Sequence, residues 1–380
     1  MWNIKNEAFL KDVEWLTGAQ IKLSTGTSGN STIPDYDHLA LVSGNANYLD
    51  QAGLYPLQSG NEDLGWEQTW ANNIGMSVGL FNRLNVNLDF YHKKTTNILM
   101  FVPQSYAMTG ESGHWDNIGA MMNRGVEVAV DGDVVRTKDF TWNMSANFSY
   151  NKNKLLELYN GVEEYVNSTT GLKYMVGHPV TEFFLNRYAG VNPANGDALW
   201  YTADGEITTE FREEDKVMTG KAYESPWAGG FGTTLWKGLS LSAQFSWMAK
   251  RYVMNNDRFF EESNGIYSTY NQSKRLLYDR WKKPGDITDI PRYDVVAKLD
   301  DRFLENTSFL RLKNLTLAYS LPQSLLRKAN FFSTARVYLQ GQNLLTWTGF
   351  TGLDPEVASN IYRAQYPASR QFTLGVEVSF

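Results

Sequence analysis

Apolar and polar residues alternate with a period of two along ten segments of the chain, which is the pattern of β-strands that have one apolar face. The clearest segment is 140–150, where aromatic and other apolar residues occupy every even position and Asn, Ser or Thr every odd one. A bulge is expected near Lys313-Asn314, where the two faces change register. The pattern predicts strands at about 16–25, 68–80, 84–90, 124–132, 140–150, 229–236, 239–247, 309–320, 335–347 and 372–380.

The connections between these strands alternate between short and long. Short turns at one end of a sheet and long loops at the other are typical of an outer-membrane β-barrel. Strands of about ten residues also match a tilted crossing of a bilayer. The short connections are 81–83, about 133–139 and 236–238, and the long ones are about 26–63, 101–123, 151–228, 248–308 and 348–370.

A soluble β-sandwich or barrel is the alternative, because its strands also alternate, with the apolar face turned inward. Three features favour the membrane: the asymmetry of the loops, tryptophans near strand ends where an aromatic girdle would lie, and Phe at the last position. The tryptophans are Trp15, Trp66, Trp70, Trp142, Trp236 and Trp247.

Composition excludes several classes of protein. The 380 residues are 42% hydrophobic and 14% aromatic, as in a folded chain with a β preference. With 35 basic and 41 acidic residues, the formal charge of −6 gives no basic surface for nucleic acid. The absence of cysteine excludes thiol nucleophiles, disulfides and Cys-bound metals. The sequence contains no apolar stretch of about 18 residues, so no transmembrane helix is expected. No signal peptide is visible at residues 1–7.

Candidate chemistry is sparse. The four histidines, His38, His92, His114 and His178, have no metal-binding spacing, so we expect no metal, cofactor or enzyme activity. His114 with Asp116 is read as a solvated turn rather than a hydrolytic pair. The oxygen-rich segments 192–197 and 204–205 are read as hairpin turns rather than a calcium site. Residues 273–281 suggest a helix in a long loop, either packed on the loop or contacting a lid protein.

Several stretches resemble, in order and over nearly the whole chain, the C-terminal part of the SusC/RagA-type TonB-dependent outer-membrane receptors of Bacteroidetes. The stretches are FLKDV (9–13), GNEDLGWE (60–67), DFYHKKT (89–95), NRGVE (123–127), FSYNKNK (148–154), SFLRLKNLTL (308–317), GQNLLTW (341–347) and GLDPEV (352–357). The resemblance implies a 22-stranded barrel plugged by an N-terminal domain, coupled to TonB, capped by a SusD-like surface lipoprotein and importing glycans or peptides.

Residues 1–380 are therefore expected to be a partial receptor barrel of about ten strands, located in the outer membrane, with the N-terminal plug and signal peptide absent. Its expected partners are membrane lipid, the missing N-terminal barrel half and plug, TonB through that plug, a SusD-like lipoprotein and an oligosaccharide or peptide. An open sheet leaves two edges of unpaired backbone groups that are costly in hydrocarbon. The chain is therefore expected to be inactive alone; the alternative is a self-closed small barrel acting as a pore, adhesin or surface hydrolase.

Two sets of residues are candidate functional positions. Sugar rings stack on aromatic side chains, so aromatic residues of the long loops are hypothetical ligand contacts: Trp115, Trp200, Tyr201, Trp227 and Phe350. The alternating C-terminal segment is interpreted as an outer-membrane assembly signal: Phe372, Leu374, Val376, Val378 and Phe380.

Overall fold

The computed structural model describes residues 1–167, 171–267, 269–329 and 331–380. Its main feature is one antiparallel sheet of ten strands, each paired with the next of the ten along the chain. The all-β class and all ten predicted strands are confirmed. The strands are β1 (Leu16–Asn30), β2 (Glu67–Leu80), β3 (Leu84–Thr96), β4 (Ala120–Arg136), β5 (Thr141–Glu157), β6 (Trp227–Lys237), β7 (Leu239–Ala249), β8 (Phe309–Ser320), β9 (Thr334–Thr348) and β10 (Gln371–Ser379).

Several strands are longer than the alternation predicts, mainly at the end that carries the long loops. β3 continues past Phe90 to Thr96, and β5 continues past Tyr150 to Glu157. In β3 the polar residue Lys94 still pairs with Trp70 of β2. Ladder hydrogen bonds join main-chain groups, so pairing continues where the apolar pattern has ended.

Short turns join the strands at the opposite end, as predicted. Residues 81–83 connect β2 to β3, 137–140 connect β4 to β5, and Gly238 alone connects β6 to β7. Gly238 has a φ of +73°, in the left-handed region that a tight hairpin requires. The fourth such connection, 321–333, contains the helix Gln323–Ala329.

The predicted bulge is present in β8. Asn314 pairs with Gln244 and Leu312 pairs with Phe245, so Lys313 is the extra residue. A slip of one residue turns every following side chain to the other face of the sheet. The bulge therefore keeps the leucines on both sides of Lys313 on the same apolar face.

The described part of the sheet does not close into a barrel, because β1 and β10 are its two ends and are not paired with each other. On the free side of β1, Trp2 exchanges two backbone hydrogen bonds with Ile21, at 2.8 and 2.9 Å. A self-closed ten-stranded barrel is therefore not the arrangement that this structure shows.

The long loops contain short strands and helical turns of their own, and the predicted helix at 273–281 is reduced to one turn at Arg275–Tyr278. No helix in the described part of the chain is long and apolar enough to span a membrane. The loop strands are Leu41–Tyr48, Gln51–Gln58, Leu99–Pro103, Gly113–Asn117, Glu164–Asn167, Leu172–Met175, Glu182–Leu185, Arg187–Val191, Ala198–Tyr201, Ile207–Thr208, Val217–Ala222, Tyr252–Asn255, Leu304–Asn306 and Ile361–Tyr362. The helices are α1 (Tyr106–Thr109), α2 (Asn256–Glu261), α3 (Arg275–Tyr278) and α4 (Gln323–Ala329), with 3-10 turns at Ile4–Asn6, Tyr159–Gly161, Glu213–Asp215 and Asp301–Phe303.

Three long loops, 158–226, 250–308 and 349–370, contain the most deeply buried apolar side chains that the structure describes; we call them together the loop cap. The fully buried Phe183, Phe303 and Tyr362 all lie there. One cluster comprises Leu172, Phe183, Leu185, Met254, Ala297, Phe303 and Leu304, and the other Val253, Phe350, Val357 and Tyr362. The hydrophobic core of the chain is therefore at the loop end and not against the sheet.

Candidate functional site

The apolar face of the sheet is left uncovered by the described chain. Ile74 of β2, Leu339 of β9 and Leu374 of β10 are 56%, 50% and 75% exposed. In a soluble sandwich this face would form the core between two sheets. Leaving so much strand surface apolar is unfavourable in water and favourable against lipid chains. The soluble β-sandwich is thereby excluded, and the sheet is a segment of a transmembrane barrel.

The opposite face is polar, and its side chains bond to each other across the strands. Ser77 Oγ donates a hydrogen bond to Asn87 Oδ1 at 2.7 Å, and Asn85 Nδ2 donates to Asp131 Oδ2 at 3.2 Å. In a membrane barrel the polar set of alternating residues lines the interior. We call this side the lumen face.

Aromatic side chains lie at both ends of the strands, as an interfacial girdle requires. At the turn end, the Trp15 ring contacts the Phe81 ring at a centroid distance of 6.3 Å. At the loop end, Trp66 and Trp70 are exposed where β2 begins.

Arg311 of β8 holds the last long loop against the lumen face. Its buried guanidinium donates to Asp354 and to Glu356 Oε2, the latter at 2.9 Å, while Nε donates to Thr346 Oγ1 of β9 at 3.0 Å. Asp354 Oδ2 also accepts the backbone N–H of Ala368 at 2.9 Å. Burial opposes ionisation of Asp354, but these backbone and arginine hydrogen bonds hold its pKa below the usual value. The GLDPEV stretch therefore closes this loop onto β8.

A second buried arginine, Arg251, joins the three loops of the loop cap. Its Nε donates to the carbonyl of Tyr223 at 2.8 Å, and its Nη2 donates to the carbonyl of Val357. Burial lowers the pKa of this guanidinium, against the opposing charges of Glu224 and Glu356. Main-chain carbonyls thus replace water around the cation and fix the relative position of the loops.

Asp300 is the most buried carboxyl group of the loop cap, with no solvent exposure. Its Oδ2 accepts Trp200 Nε1–H at 2.9 Å and its Oδ1 accepts the backbone N–H of Arg302 at 3.1 Å. Burial raises the pKa of Asp300 to about 6, and Arg302 and the tryptophan hydrogen bond oppose this shift. Burial likewise raises the pKa of Tyr188, whose ring lies against the Arg302 guanidinium at 4.4 Å.

Three of the predicted ligand-contact residues lie in two loops. The Trp115 ring packs edge-on against Phe101, and its Nε1 donates to Asp37 Oδ2 at 2.8 Å. Trp200 is only 5% exposed, since it covers Asp300. Tyr201 is half-buried, with the Arg187 guanidinium 5.4 Å from its ring centre.

The other two have structural surroundings. Trp227 is the first residue of β6 rather than a loop residue, and it contacts the rings of Phe148 and Tyr150 at 5.4 and 4.3 Å. Phe350 is buried and packs edge-on against Tyr362 at 5.0 Å. The five aromatic residues thus lie in four separate segments. Trp115 and Tyr201 retain partly open rings, whereas Trp200 and Phe350 offer almost no surface to a ligand in this conformation.

The proposed assembly-signal residues share one face at the end of the sheet. β10 pairs on one side with β9, and its apolar residues are exposed on the membrane side. Phe380 follows the end of β10 and contacts the rings of Phe331 and Phe332 at 5.1 and 5.6 Å. The exposed set is Phe372, Leu374, Val376, Val378 and Phe380. Its role in assembly stays a prediction.

The remaining candidates form no reactive site in the structure. His114 Nδ1 is 3.2 Å from Gln104 Nε2, whereas Asp116 accepts from Asn61 at 3.1 Å. Residues 192–197 form the turn of a hairpin. In this turn, Asp197 forms an ion pair with Arg292 of a different loop. Over the described ranges, no three His, Asp or Glu side chains are placed to hold a metal ion.

Arg251 and Arg311 are two structurally important residues that the sequence pattern does not predict. Arg311 occupies an alternating polar position of a predicted strand, as other charged strand residues do, so the pattern did not show that its guanidinium would be buried. Arg251 lies two residues after the end of β7, and no sequence pattern marks it, because its partners are main-chain carbonyls distant in sequence.

Comparisons with known proteins agree on one family. The family described as "TonB dependent receptor-like, beta-barrel" matches residues 20–344. TonB-dependent receptor P3 of Formosa agariphila is 30% identical over the whole chain, which covers 41% of that protein. TonB-dependent receptor SusC of Bacteroides thetaiotaomicron is 28% identical, with 39% of it covered.

Among solved structures, one described as the RagAB peptide transporter superposes with a TM-score of 0.92 at 38% identity. All of this chain and 42% of that one are covered. The chain thus spans about two fifths of the length of the relatives it matches. With a family match over most of its residues and a matching ten-stranded sheet, the chain belongs to the TonB-dependent receptor-like β-barrel family, whose SusC- and RagA-type members lie in the outer membrane.

Proposed function

We propose that this chain is part of the barrel of a SusC/RagA-type TonB-dependent transporter and serves the import of a glycan or peptide across the outer membrane. The observation that carries the proposal is the two-sided sheet, with an exposed apolar face, a hydrogen-bonded lumen face and an ordered loop cap. The similarity to the peptide transporter supports it, and so do the curated relatives, which are named as receptors. Transport of this kind needs no catalytic group.

The free edges of β1 and β10 are the proposed contacts with the rest of the transporter barrel. β10 has nine residues, and alternate residues present both N–H and C=O to the free side, which makes roughly eight unpaired groups. Each costs several kcal/mol in hydrocarbon. The total exceeds the roughly 5–15 kcal/mol that keeps a typical protein folded. We therefore propose that the N-terminal barrel strands complete the sheet, that the N-terminal plug closes the barrel and is the part on which TonB acts, and that this chain is inactive alone.

A SusD-like surface lipoprotein is the proposed partner on the extracellular side. The loop between β7 and β8 exposes apolar and aromatic side chains around α3, most strongly Tyr270, Leu277, Tyr278 and Ile287. Exposed apolar groups concentrated on one loop are typical of a protein-binding surface. Trp115 and Tyr201 remain proposed ligand contacts, because part of each ring is open.

The test is expression of the full chain with an outer-membrane signal peptide, followed by membrane extraction and electrophoresis of heated and unheated samples. We expect the chain in the membrane fraction with no heat-modifiable band on its own. We expect such a band, together with ligand uptake, when the N-terminal barrel half and plug of a SusC-type relative are co-expressed. A heat-modifiable band from the chain alone would show a self-closed barrel, and a chain that stays soluble without detergent would refute the membrane assignment.

A further inference from the structure

A cleft of about 630 Å³ opens in the loop cap between α2 and the last long loop. Its walls include Asp257, Arg258, Glu261, Glu262, Arg275 and Leu353. Asp257 and Glu261 belong to α2, while Leu353 comes from the loop that Arg311 holds against the lumen face. Two separately anchored loop segments thus form the two sides of the cleft.

The acidic groups of the cleft exceed its available cations. Arg258 Nε donates to Glu262 Oε1 at 3.0 Å, and Arg275 Nη1 donates to the same oxygen at 2.7 Å. Both guanidiniums also contact carboxylates outside the cleft: Arg258 pairs with Glu305 at 3.3 Å, and Arg275 pairs with Asp289 at 2.7 Å. The two arginines are therefore neutralised without Asp257 and Glu261.

One carboxylate oxygen in the wall of this cleft has no hydrogen-bond donor among the described residues, although the other oxygen of the same carboxylate accepts from both arginines. The Glu262 side chain is 2% exposed, and its Oε2 has no hydrogen-bond partner in the described part of the chain. A buried carboxylate oxygen that lacks a donor is unfavourable, and an N–H donor that reached it would satisfy it.

Asp257 and Glu261 are the accessible part of the acidic wall. Both oxygens of Asp257 accept the backbone N–H of Ala364, at 3.0 and 2.9 Å, which fixes this carboxylate beside the cleft. Glu261 is exposed overall, but partial desolvation of its carboxyl group, and after it the negative charges of Asp257 and Glu262, raise its pKa.

We propose that this cleft binds a positively charged organic group, a primary ammonium or a guanidinium, carried by the imported ligand. The inference rests on the proposed import function and narrows the ligand to molecules with such a group, in preference to neutral oligosaccharides. The described carboxylates do not converge in the manner of a metal site. The exposed side chain of Leu353 offers apolar surface to the alkyl stem of an amine, which a bare metal ion would not use.

The test measures binding of labelled trilysine amide in a non-ionic detergent, with N-acetylated triglycine amide and maltotriose as uncharged probes. The protein used is the barrel that the full chain forms when it is co-expressed with the N-terminal barrel half and plug of a SusC-type relative. We expect trilysine to bind in preference to both uncharged probes. The double variant Asp257→Asn/Glu261→Gln should weaken trilysine binding about tenfold, because two partly exposed charges are lost.

The control variant Asp204→Asn/Glu206→Gln makes the same change in net charge in an exposed hairpin turn far along the sequence. An equal loss in both variants would show attraction by net charge alone and overturn the proposal. Equal binding of trilysine by the cleft variant and the original chain would overturn it too. Membrane insertion in the electrophoresis test is independent of this result, so the cleft can fail while the import function stands.

Discussion

Replacing Arg311 with methionine tests how the last long loop is held on the lumen face. Methionine keeps much of the length and apolar volume of the arginine stem but removes the guanidinium. The change leaves Asp354 and Glu356 without the cation that both contact from β8. We expect the loop to open more often while the ten-stranded sheet stays assembled.

The size of the effect follows from burial. The side chains of Arg311 and Asp354 are 3% and 13% exposed, whereas Glu356 is 36% exposed and keeps Lys313 at 2.6 Å. Removing one partner of a buried ion pair costs about 3–5 kcal/mol. Only Asp354 loses its cation here, and it retains hydrogen bonds from the N–H groups of Ala368 and Glu356. We therefore expect the free energy that holds the loop closed on the lumen face to fall by about 2–3 kcal/mol.

Limited trypsin digestion of the barrel assembled by co-expression with the N-terminal half, carried out in detergent and read by mass spectrometry, measures this loss. Arg363 and Arg370 are exposed sites within or beside the loop. A loss of 2–3 kcal/mol raises the open population, and the cleavage rate at these sites, by roughly 30- to 150-fold.

The matched control is Arg336→Met, on the next strand and the same face. Arg336 is 41% exposed and lies 3.8 Å from Glu377, which is 67% exposed, so this ion pair contributes little. Cleavage of the Arg311 variant at the rate of the original chain would refute the role assigned to this arginine. A similar acceleration in both variants would show a general effect of removing positive charge.

Three further predictions follow from single positions. Leu339→Lys should prevent membrane insertion in a fractionation assay, because a lysine on the lipid face costs about 2–4 kcal/mol near the bilayer centre. The neighbouring variant Gln340→Lys, on the lumen face, should insert normally, and equal insertion of both variants would contradict the assignment of the faces. Burial raises the pKa of Asp300 from 3.8 to about 6, so the folded loops bind the carboxyl proton more tightly than the unfolded chain does, and their stability should fall as pH rises from about 4 to 6. In thermal melts, the Asp300→Asn variant should lose this dependence on pH, and a variant with the same pH profile as the original chain would contradict the prediction. Gly125→Ala should destabilise the sheet in urea unfolding, since its Cβ would lie 2.1 Å from the carbonyl oxygen of a neighbouring strand, whereas Gly26→Ala has open space; equal midpoints for the two would rule out a steric requirement at Gly125.

The strands could be predicted from sequence because each one alternates independently of the rest of the chain. Even the bulge at Lys313 was visible, since a one-residue slip disturbs a period of two. The ends of the strands were predicted less well. Near the membrane surface, the polar Lys94 lies on the same face of the strand as the apolar Phe90 deeper in it, and both are paired with the neighbouring strand. Side-chain polarity therefore no longer shows where strand pairing ends.

The loop cap could not be predicted in the same way, because its contacts join residues far apart in sequence. Trp200 was proposed as a ligand contact on the basis of its loop position, yet its indole N–H bonds to Asp300, one hundred residues away. Arg251 binds the carbonyl of Val357 across a similar separation. Local periodicity contains no information about which loops fold together, and an aromatic residue in a loop has the same sequence signature whether it is buried or open.

The sheet and the loops are stabilised by different interactions, because the strands face lipid and the loops face water. The strands place their apolar residues toward lipid, which is itself apolar, so no hydrophobic effect drives these faces against another sheet. The sheet is therefore ordered chiefly by the backbone hydrogen bonds between its strands. The loops face water, where burial of Phe183, Phe303 and Tyr362 is favourable and builds a fixed structure. Substitutions on the lipid face should therefore affect assembly, whereas substitutions at Arg251 or Arg311 should alter the geometry of the α2 cleft and so change recognition without changing insertion.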